Sequence, residues 1–196
     1  MTRIATVSRR TNETKIDITP NLDGSGKHAI ETGVGFFDHM LTHIAKHGVF
    51  DLELRCEGDL WIDAHHTVED CGIALGEAFA QALGDKAGIV RAGSASMPLD
   101  EALAFAAVDL SGRPYAALDL QLYGAELGGI APDLVNHFLE SFAFAAKANV
   151  HVKVLAGVND HHKAEACFKA LARALDAACR VDIRRGGDIP STKGTI

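Results

Sequence analysis

A histidine-rich motif that occurs twice places the strongest constraint on how this 196-residue chain folds. The motif reads HHTVE from His65 and HHKAE from His161, 96 residues later (65 to 161), and the residues after it share Cys, Ala and Leu at corresponding positions. Upstream, a lone histidine precedes each copy, at His39 and at His137. Self-similarity at a fixed spacing indicates an internal duplication. We therefore expect two half-domains, 1–90 and 91–196, fused into a single compact unit.

Each half supplies three histidines and one glutamate, and metal binding is the commonest reason for such clusters. Residues three apart on a helix share a face, whereas adjacent residues point about 100° apart. This spacing predicts crossed metal sites. One would contain His39, His66, Glu69 and His161, and the other His137, His162, Glu165 and His65. The alternative is that these histidines cap helices or form hydrogen bonds in the core.

Composition excludes several classes of partner. The formal net charge of −7 and the lack of a long basic run argue against nucleic acid. No apolar stretch approaches the ~20 residues of a membrane span. The four cysteines form no CxxC pair and are interpreted as reduced core residues, as in cytosolic proteins. We therefore expect a cytoplasmic protein with no nucleic-acid or membrane partner, and composition leaves open a small anionic ligand bound by local arginines.

Hydrophobic periodicity predicts the same order of elements, strand-strand-helix-strand-helix, in each half. In the first half the strands are expected at 15–19, 28–32 and 50–56 and the helices at 38–47 and 65–83, with the first two strands forming a hairpin. In the second half the strands are expected at 102–109, 115–122 and 150–155 and the helices at 132–146 and 164–178. A loose join at 84–98 precedes them. Amphipathic helices bury their apolar faces most simply when all four pack between two β-sheets, in an α+β fold.

Five motifs together resemble the imidazoleglycerol-phosphate dehydratase family of histidine biosynthesis. They are FDHML at 37–41, DAHHTVED at 63–70, DLSGRP at 109–114, HHKAEACFKA at 161–170 and STKG at 191–194. The resemblance covers essentially the whole chain. It implies a hydro-lyase that converts D-erythro-imidazole-glycerol phosphate to imidazole-acetol phosphate, with a fold like that of ribosomal protein S5 domain 2. It also implies two Mn²⁺ ions per active site and a homo-oligomer of 24 subunits with active sites between subunits.

The resemblance assigns roles to particular residues. Proton transfer falls to Glu13, Glu165 and Asp100. The implied metal ligands are His39, His65, His66, Glu69, His137, His161, His162 and Glu165. The implied substrate contacts are Glu13, His39, His65, His66, Arg91, Arg113, Ser191, Thr192 and Lys193. Of these, the two arginines, Ser191, Thr192 and Lys193 hold the phosphate. Ser191, Thr192 and Lys193 lie in a glycine-rich C-terminal tail. Without the resemblance, Glu13 and the arginines would be interpreted as ordinary surface charges.

The substrate hydrogen to be removed is not acidic, because no adjacent carbonyl group delocalises a carbanion. Two cations on the ring nitrogens would instead stabilise an imidazolate that expels the neighbouring hydroxyl group, giving a diazafulvene-type intermediate. The residues leave two rival functions open, a dinuclear metallohydrolase and a non-catalytic, metal-stabilised assembly. They also leave open whether His43 and His47 line the pocket, and whether the metal ligands come from one chain or several. His28 and His151 are expected to be structural.

Overall fold

Two four-stranded sheets and four helices make up the computed structural model, which describes residues 3–196. The elements are β1 (Val7–Arg10), β2 (Thr14–Asn21), β3 (His28–Glu31), α1 (Gly35–Gly48), β4 (Asp51–Gly58), α2 (His65–Leu83), β5 (Ala92–Leu99), β6 (Ala102–Asp109), β7 (Tyr115–Asp119), α3 (Asp133–Ala145), β8 (Asn149–Ala156) and α4 (Asp160–Cys179), followed by a 3-10 turn at Ile183–Arg185. The predicted α+β class, with duplicated halves and helices packed against two sheets, is confirmed.

The two sheets have the same topology, β1-β2-β4-β3 and β5-β6-β8-β7. In each, the third strand along the chain lies parallel to the fourth and antiparallel pairing joins the rest. The predicted hairpin is therefore wrong, because β4 lies between β2 and β3. The turn residues at 21–26 reverse the chain as expected, but a turn does not determine which strand becomes the neighbour.

Each half also begins with a strand that the periodicity did not predict, β1 and β5. β5 takes in residues 92–98, the end of the segment expected to be a loose join. The inward residues of its first half, Gly93 and Ala95, are small, and a Cβ atom added at Gly93 would lie 2.3 Å from the carbonyl oxygen of Ala174 in α4. Such close approach of α4 requires small side chains, which carry little hydrophobic signal. The division at residues 90 and 91 stays a prediction.

The core lies in the helix layer and on the inner faces of the sheets. Along β2, buried Ile16 and Ile18 alternate with exposed Lys15 and Asp17, as expected of a sheet with one face in water. α1 packs against α4, and α2 against α3. The ring of Phe138 lies 5.2 Å from that of Phe37 and 5.5 Å from that of Phe168, which links three of the helices. No helix within residues 3–196 has the length and apolar character needed to cross a membrane.

The outer faces of the two sheets differ in composition. The exposed residues at the centre of the first are charged: Lys15, Asp17, Glu53, Arg55 and Glu57. The second carries mainly small and apolar residues, namely Ser94, Ser96, Leu103, Phe105 and Leu155. It also carries one pair of opposite charges, Lys153 and Asp119. The two copies of the fold therefore present different outer surfaces.

Candidate metal centre

Two clusters of metal-binding side chains form where the helices begin. The first cluster consists of His39, His43 and Glu165, from α1 and α4. The second cluster consists of His65, Glu69 and His137, from α2 and α3. Within each cluster the ligand atoms lie within 4.8 Å of one another. The duplicated motifs therefore build two related sites from opposite pairs of helices.

Glu165 is the centre of the first cluster. Its Oε1 atom lies 3.1 Å from His39 Nε2 and 2.9 Å from His161 Nε2. Its Oε2 atom lies 3.0 Å from His43 Nε2 and 2.8 Å from Lys169 Nζ. Burial acts to raise the pKa of Glu165, but hydrogen bonds from Lys169, His39 and His161 prevail and lower it to about 2. The side chain is therefore a carboxylate with both oxygens engaged.

The second cluster is less fully bonded. Glu69 Oε2 lies 3.4 Å from His137 Nε2 and 3.8 Å from His65 Nε2. His137 Nε2 is buried and has no hydrogen-bond partner among the described residues. The positions that correspond to His43 and Lys169 of the first cluster are Ser141 and Ile73. A buried nitrogen without a partner is rare, and here it faces a group of side chains that could hold a metal ion.

The crossed grouping expected from the sequence is wrong within one chain. Glu69 lies with His65 and not with His66, and Glu165 lies with His161 and not with His162. Residues three and four apart both share a helix face. In α2 and α4 the first histidine of each pair stacks over the glutamate four residues later, and the second histidine points elsewhere.

His66 contacts two carboxylates outside both clusters. Its Nδ1 atom lies 3.0 Å from Asp59 Oδ2, and its Nε2 atom lies 3.6 Å from Glu13 Oε1. Asp59 is buried, whereas half of the Glu13 side chain is exposed. The hydrogen bond to Asp59 is the main reason that the pKa of His66 is raised. Glu13, nominated from the resemblance, therefore lies beside the outward nitrogen of this ring.

His162 has the corresponding pair of contacts. Its Nδ1 atom lies 2.7 Å from Glu101 Oε2 and its Nε2 atom lies 3.9 Å from Asp100 Oδ2. The hydrogen bond to Glu101 raises the pKa of His162. Asp100, which the resemblance nominated, has a positive φ of 47°, a region that few residues other than glycine adopt. The turn between β5 and β6 holds it there.

The candidate phosphate-binding residues gather at another place. Arg91 donates to both oxygens of Asp109, at 2.7 and 3.0 Å, and to the carbonyl oxygen of Pro190 at 2.8 Å. This last bond ties the C-terminal tail, which carries Ser191, Thr192 and Lys193, to the start of β5. Arg113 lies near the same end of the sheet, with Nη1 3.5 Å from the carbonyl oxygen of Ser111.

The length of β6 separates the phosphate-binding candidates from the metal clusters. Glu101, which contacts His162, precedes β6, and Asp109, which contacts Arg91, ends it. At about 3.3 Å per residue, the two ends lie roughly 25 Å apart. The structure therefore gathers six of the eight candidate metal ligands of one chain into two clusters and leaves its phosphate-binding candidates at the opposite end of β6.

Comparison with known sequences identifies the family of this chain. The family model "Imidazoleglycerol-phosphate dehydratase" matches residues 32–175. A protein of that name from Roseiflexus sp. (strain RS-1) is 54% identical over 195 residues, which cover 100% of this chain and 98% of the relative. The chain belongs to the imidazoleglycerol-phosphate dehydratase family. A relative from Koribacter versatilis (strain Ellin345) is 56% identical over 99% of this chain and 100% of its own length.

Solved structures of imidazoleglycerol-phosphate dehydratases share the fold. The enzyme from Staphylococcus aureus subsp. aureus N315 matches with a TM-score of 0.83 and 35% identity, covering 91% of this chain and 99% of that one. The enzyme from Pyrococcus furiosus, solved with (S)-C348, matches with a TM-score of 0.84 and 37% identity, covering 97% and 100%. The predicted family and its hydro-lyase class are confirmed.

Sequence reasoning left open or missed several residues of this dehydratase site. His43 joins the first cluster, and its burial is the main cause that lowers its pKa to about 4. Its position four residues after His39 was the available signal. Asp59 and Glu101 were not predicted, because neither is part of the repeated motif. His28 and His151 lie exposed on strands, outside both clusters.

Proposed function

We propose that the chain dehydrates D-erythro-imidazole-glycerol phosphate to imidazole-acetol phosphate in histidine biosynthesis, with two Mn²⁺ ions per active site. The observation that carries this proposal is the pair of His and Glu clusters in a member of this family. An imidazole ring has two nitrogens, and two related metal sites provide one cation for each.

The donors of both clusters fit divalent transition-metal ions, which imidazole nitrogen and carboxylate oxygen bind well. We assign His39, His161 and Glu165 to one ion, because Glu165 Oε1 contacts both rings, and His65, Glu69 and His137 to the other. His43, which contacts the second oxygen of Glu165, is not assigned to the ion. The buried, unpartnered His137 Nε2 supports the second assignment. Mn²⁺ is favoured over Zn²⁺, since an octahedral ion keeps positions open for substrate where a tetrahedral site of four protein ligands is closed. When bound, the ions would act as Lewis acids that stabilise the imidazolate form of the substrate ring.

His66 and His162 are proposed to complete the metal sites of neighbouring subunits. Neither ring joins a cluster of its own chain, and in each a carboxylate holds Nδ1 and leaves Nε2 outward. Trp61, in the loop before α2, and Val158, in the loop before α4, are 77% and 86% exposed. Large apolar side chains this exposed, in the loops that lead into both histidine pairs, favour burial against another subunit. We propose the 24-subunit assembly of the family, with active sites between subunits.

Proton transfer is assigned first to Glu13. Its carboxylate lies beside the outward Nε2 atom of His66, so it would adjoin substrate held at the ion that His66 completes. Once the substrate hydroxyl has left as water, with the proton that the ring gave up on forming the imidazolate, Glu13 would take the proton from the next carbon, giving an enol that tautomerises to the ketone. Asp100 occupies the corresponding place at His162. Glu165, with its low pKa, serves as a metal ligand and is proposed to assist proton transfer only through that role.

The substrate phosphate is proposed to bind to one subunit, while the first cluster of a different subunit holds an ion of the same active site. Arg91, Arg113 and Lys193 supply positive charge, and Ser191 and Thr192 supply hydroxyl donors. A substrate with three carbons between its ring and its phosphate is much shorter than β6, which separates these residues from the clusters of their own chain. This distance supports an active site shared between subunits.

The proposal is tested by removing metal with a chelator and restoring Mn²⁺, while product formation and particle mass are followed. We expect product only after Mn²⁺ is restored, with mass rising to the full assembly. Release of inorganic phosphate instead of the ketone would favour a metallohydrolase. Assembly without any turnover would favour a purely structural metal site.

Two substitutions test the residue assignments. Glu13→Gln is expected to abolish turnover while metal content and particle mass stay unchanged, since it removes a base and not a ligand. Lys193→Ala is expected mainly to raise KM through a lost phosphate contact. The control is Lys153→Ala, an exposed lysine on the outer face of β8, which should leave both constants unchanged. Full activity of Glu13→Gln would refute the base assignment.

A further inference from the structure

Two carboxylates that belong to neither metal cluster contact the histidines that the clusters leave out. We infer that Asp59 and Glu101 are positioning residues, which fix the rings of His66 and His162 so that each presents Nε2 to an ion held by a neighbouring subunit. The inference rests on the proposed function, because it takes these two rings to be metal ligands. It assigns no chemical step to either carboxylate.

Asp59 gives the clearest evidence. It is 7% exposed, and both of its oxygens lie within hydrogen-bond distance of His66 Nδ1, at 3.0 and 3.2 Å. Among the described residues its carboxylate has no other hydrogen-bond partner. Keeping a carboxylate out of water is costly unless it is paired. The hydrogen bond with His66 Nδ1 offsets this cost, and the same bond orients the imidazole ring. A histidine that binds a metal through one ring nitrogen is usually held by a carboxylate at the other nitrogen.

The second half reaches the same arrangement from a different position in the chain. Asp59 follows β4, and the corresponding residue after β8 is Gly157, where an added Cβ atom would lie 2.8 Å from Lys163 Cγ. Glu101, which precedes the neighbouring strand β6, supplies the carboxylate instead, 2.7 Å from His162 Nδ1. Its counterpart before β2 is Glu13. Two unrelated positions thus provide the same contact, which indicates that the contact itself is required.

Asp59→Asn is the sharper test, because Glu101 also accepts hydrogen bonds from the backbone of Val158 and Asn159. Mn²⁺ affinity is measured without substrate, from the free-ion electron paramagnetic resonance signal. We expect about 10- to 100-fold weaker binding for one of the two classes of ion, the usual cost of losing such a support. The thermal midpoint of the metal-free protein should not change. The matched control is Asp63→Asn, in the same loop, whose carboxylate accepts from the backbone N–H of His65 and not from a ring.

A double-mutant cycle decides whether Asp59 acts through His66. In a His66→Ala background, Asp59→Asn should cause no further loss of Mn²⁺ affinity. An additional loss, or unchanged affinity for Asp59→Asn alone, would overturn the inference. Neither result bears on whether the enzyme forms imidazole-acetol phosphate, so the inference and the proposed function fail separately. Glu101→Gln, measured in the same way in a His162→Ala background, repeats the test in the second half.

Discussion

Glu165 and Glu69 occupy equivalent places in the duplication but have different neighbours. Lys169 Nζ lies 2.8 Å from Glu165, whereas Ile73 stands at the corresponding position beside Glu69. A nearby ammonium group neutralises part of the charge that a metal ion would otherwise meet. The two sites should therefore bind the same ion with different affinity, although their ligands are of the same kind.

Replacing Lys169 by methionine should tighten Mn²⁺ binding at the first cluster. Removal of the competing cation strengthens the attraction of Glu165 for the ion, by roughly three- to tenfold for a pair of this kind. Titration with Mn²⁺ should show two classes of site with different affinity in the unsubstituted protein. In the variant the two affinities should lie closer together. Lys153→Met, which removes a lysine paired with Asp119 on an outer surface, serves as the control. Weaker binding in Lys169→Met would contradict the prediction.

Cys167 and Cys179 should resist alkylation in the folded protein. Burial raises the pKa of both thiols to about 12, so at pH 8 almost none of either is the reactive thiolate. Mass spectrometry after treatment with iodoacetamide at pH 8 should find both unmodified in native protein and both modified in denaturant. Modification of either residue at the rate of a free thiol, without unfolding, would show that the helix layer opens.

At the scale of single residues, the sequence predicted what repeats and missed what does not. The repeated histidines and glutamates were found because both copies carry them. Asp59 and Glu101 were missed because each half supplies this carboxylate from a different strand end. Only the folded sheet brings those strand ends beside the histidine rings, so no spacing rule could have paired them.

Helices α2 and α3 approach closely because α2 has glycine at the contact. A Cβ atom added at Gly76 would lie 2.7 Å from the carbonyl oxygen of Phe142 and 2.7 Å from Ala145 Cβ. A Cβ atom added at Gly72, one turn earlier, would lie 2.9 Å from the carbonyl oxygen of Phe138. This separation also sets the distance between His65 and His137, which these helices carry.

Gly76→Val should destabilise the protein, because the backbone of α3 cannot move away without disturbing the core. Overpacking of this kind costs about 1–3 kcal/mol, and each kcal/mol lowers the thermal midpoint of a chain of this size by about 2–4 °C. Gly35→Ala is the control, since a Cβ atom there meets no atom within 4 Å. Equal midpoints for the two variants, measured at the same protein concentration, would contradict the close contact.

At the scale of elements, the four helices were predicted more accurately than the sheets. A helix shows its buried face in its own sequence, and α2 was placed at its observed bounds. A strand shows only which side chains alternate, so β2 and β3 were paired with each other when β4 in fact lies between them. β5 was taken for a join, because alanine, serine and glycine give little contrast between its two faces.

For the whole molecule, the separation of the phosphate-binding candidates from the metal clusters predicts complementation between inactive subunits. At limiting substrate, particles made only of Glu13→Gln subunits or only of Lys193→Ala subunits should have little activity. Particles reassembled from a mixture of the two unfolded variants should regain activity. If each site takes Glu13 from one chain and Lys193 from another, random mixing restores roughly a quarter of the sites in an equimolar particle. A control mixture, made by combining the separately assembled particles without unfolding, should stay inactive. No recovery in mixed particles would place both residues of a site on one chain.

The charged outer face of the first sheet has a consequence for particles built from many copies. Lysine, aspartate, glutamate and arginine side chains at its centre are costly to take out of water, so this face resists stacking against another particle. The formal net charge of −7 per chain accumulates as subunits are added. Like charge of that size makes assembled particles repel one another. If the chains assemble as proposed, the particles would then stay dispersed at high concentration.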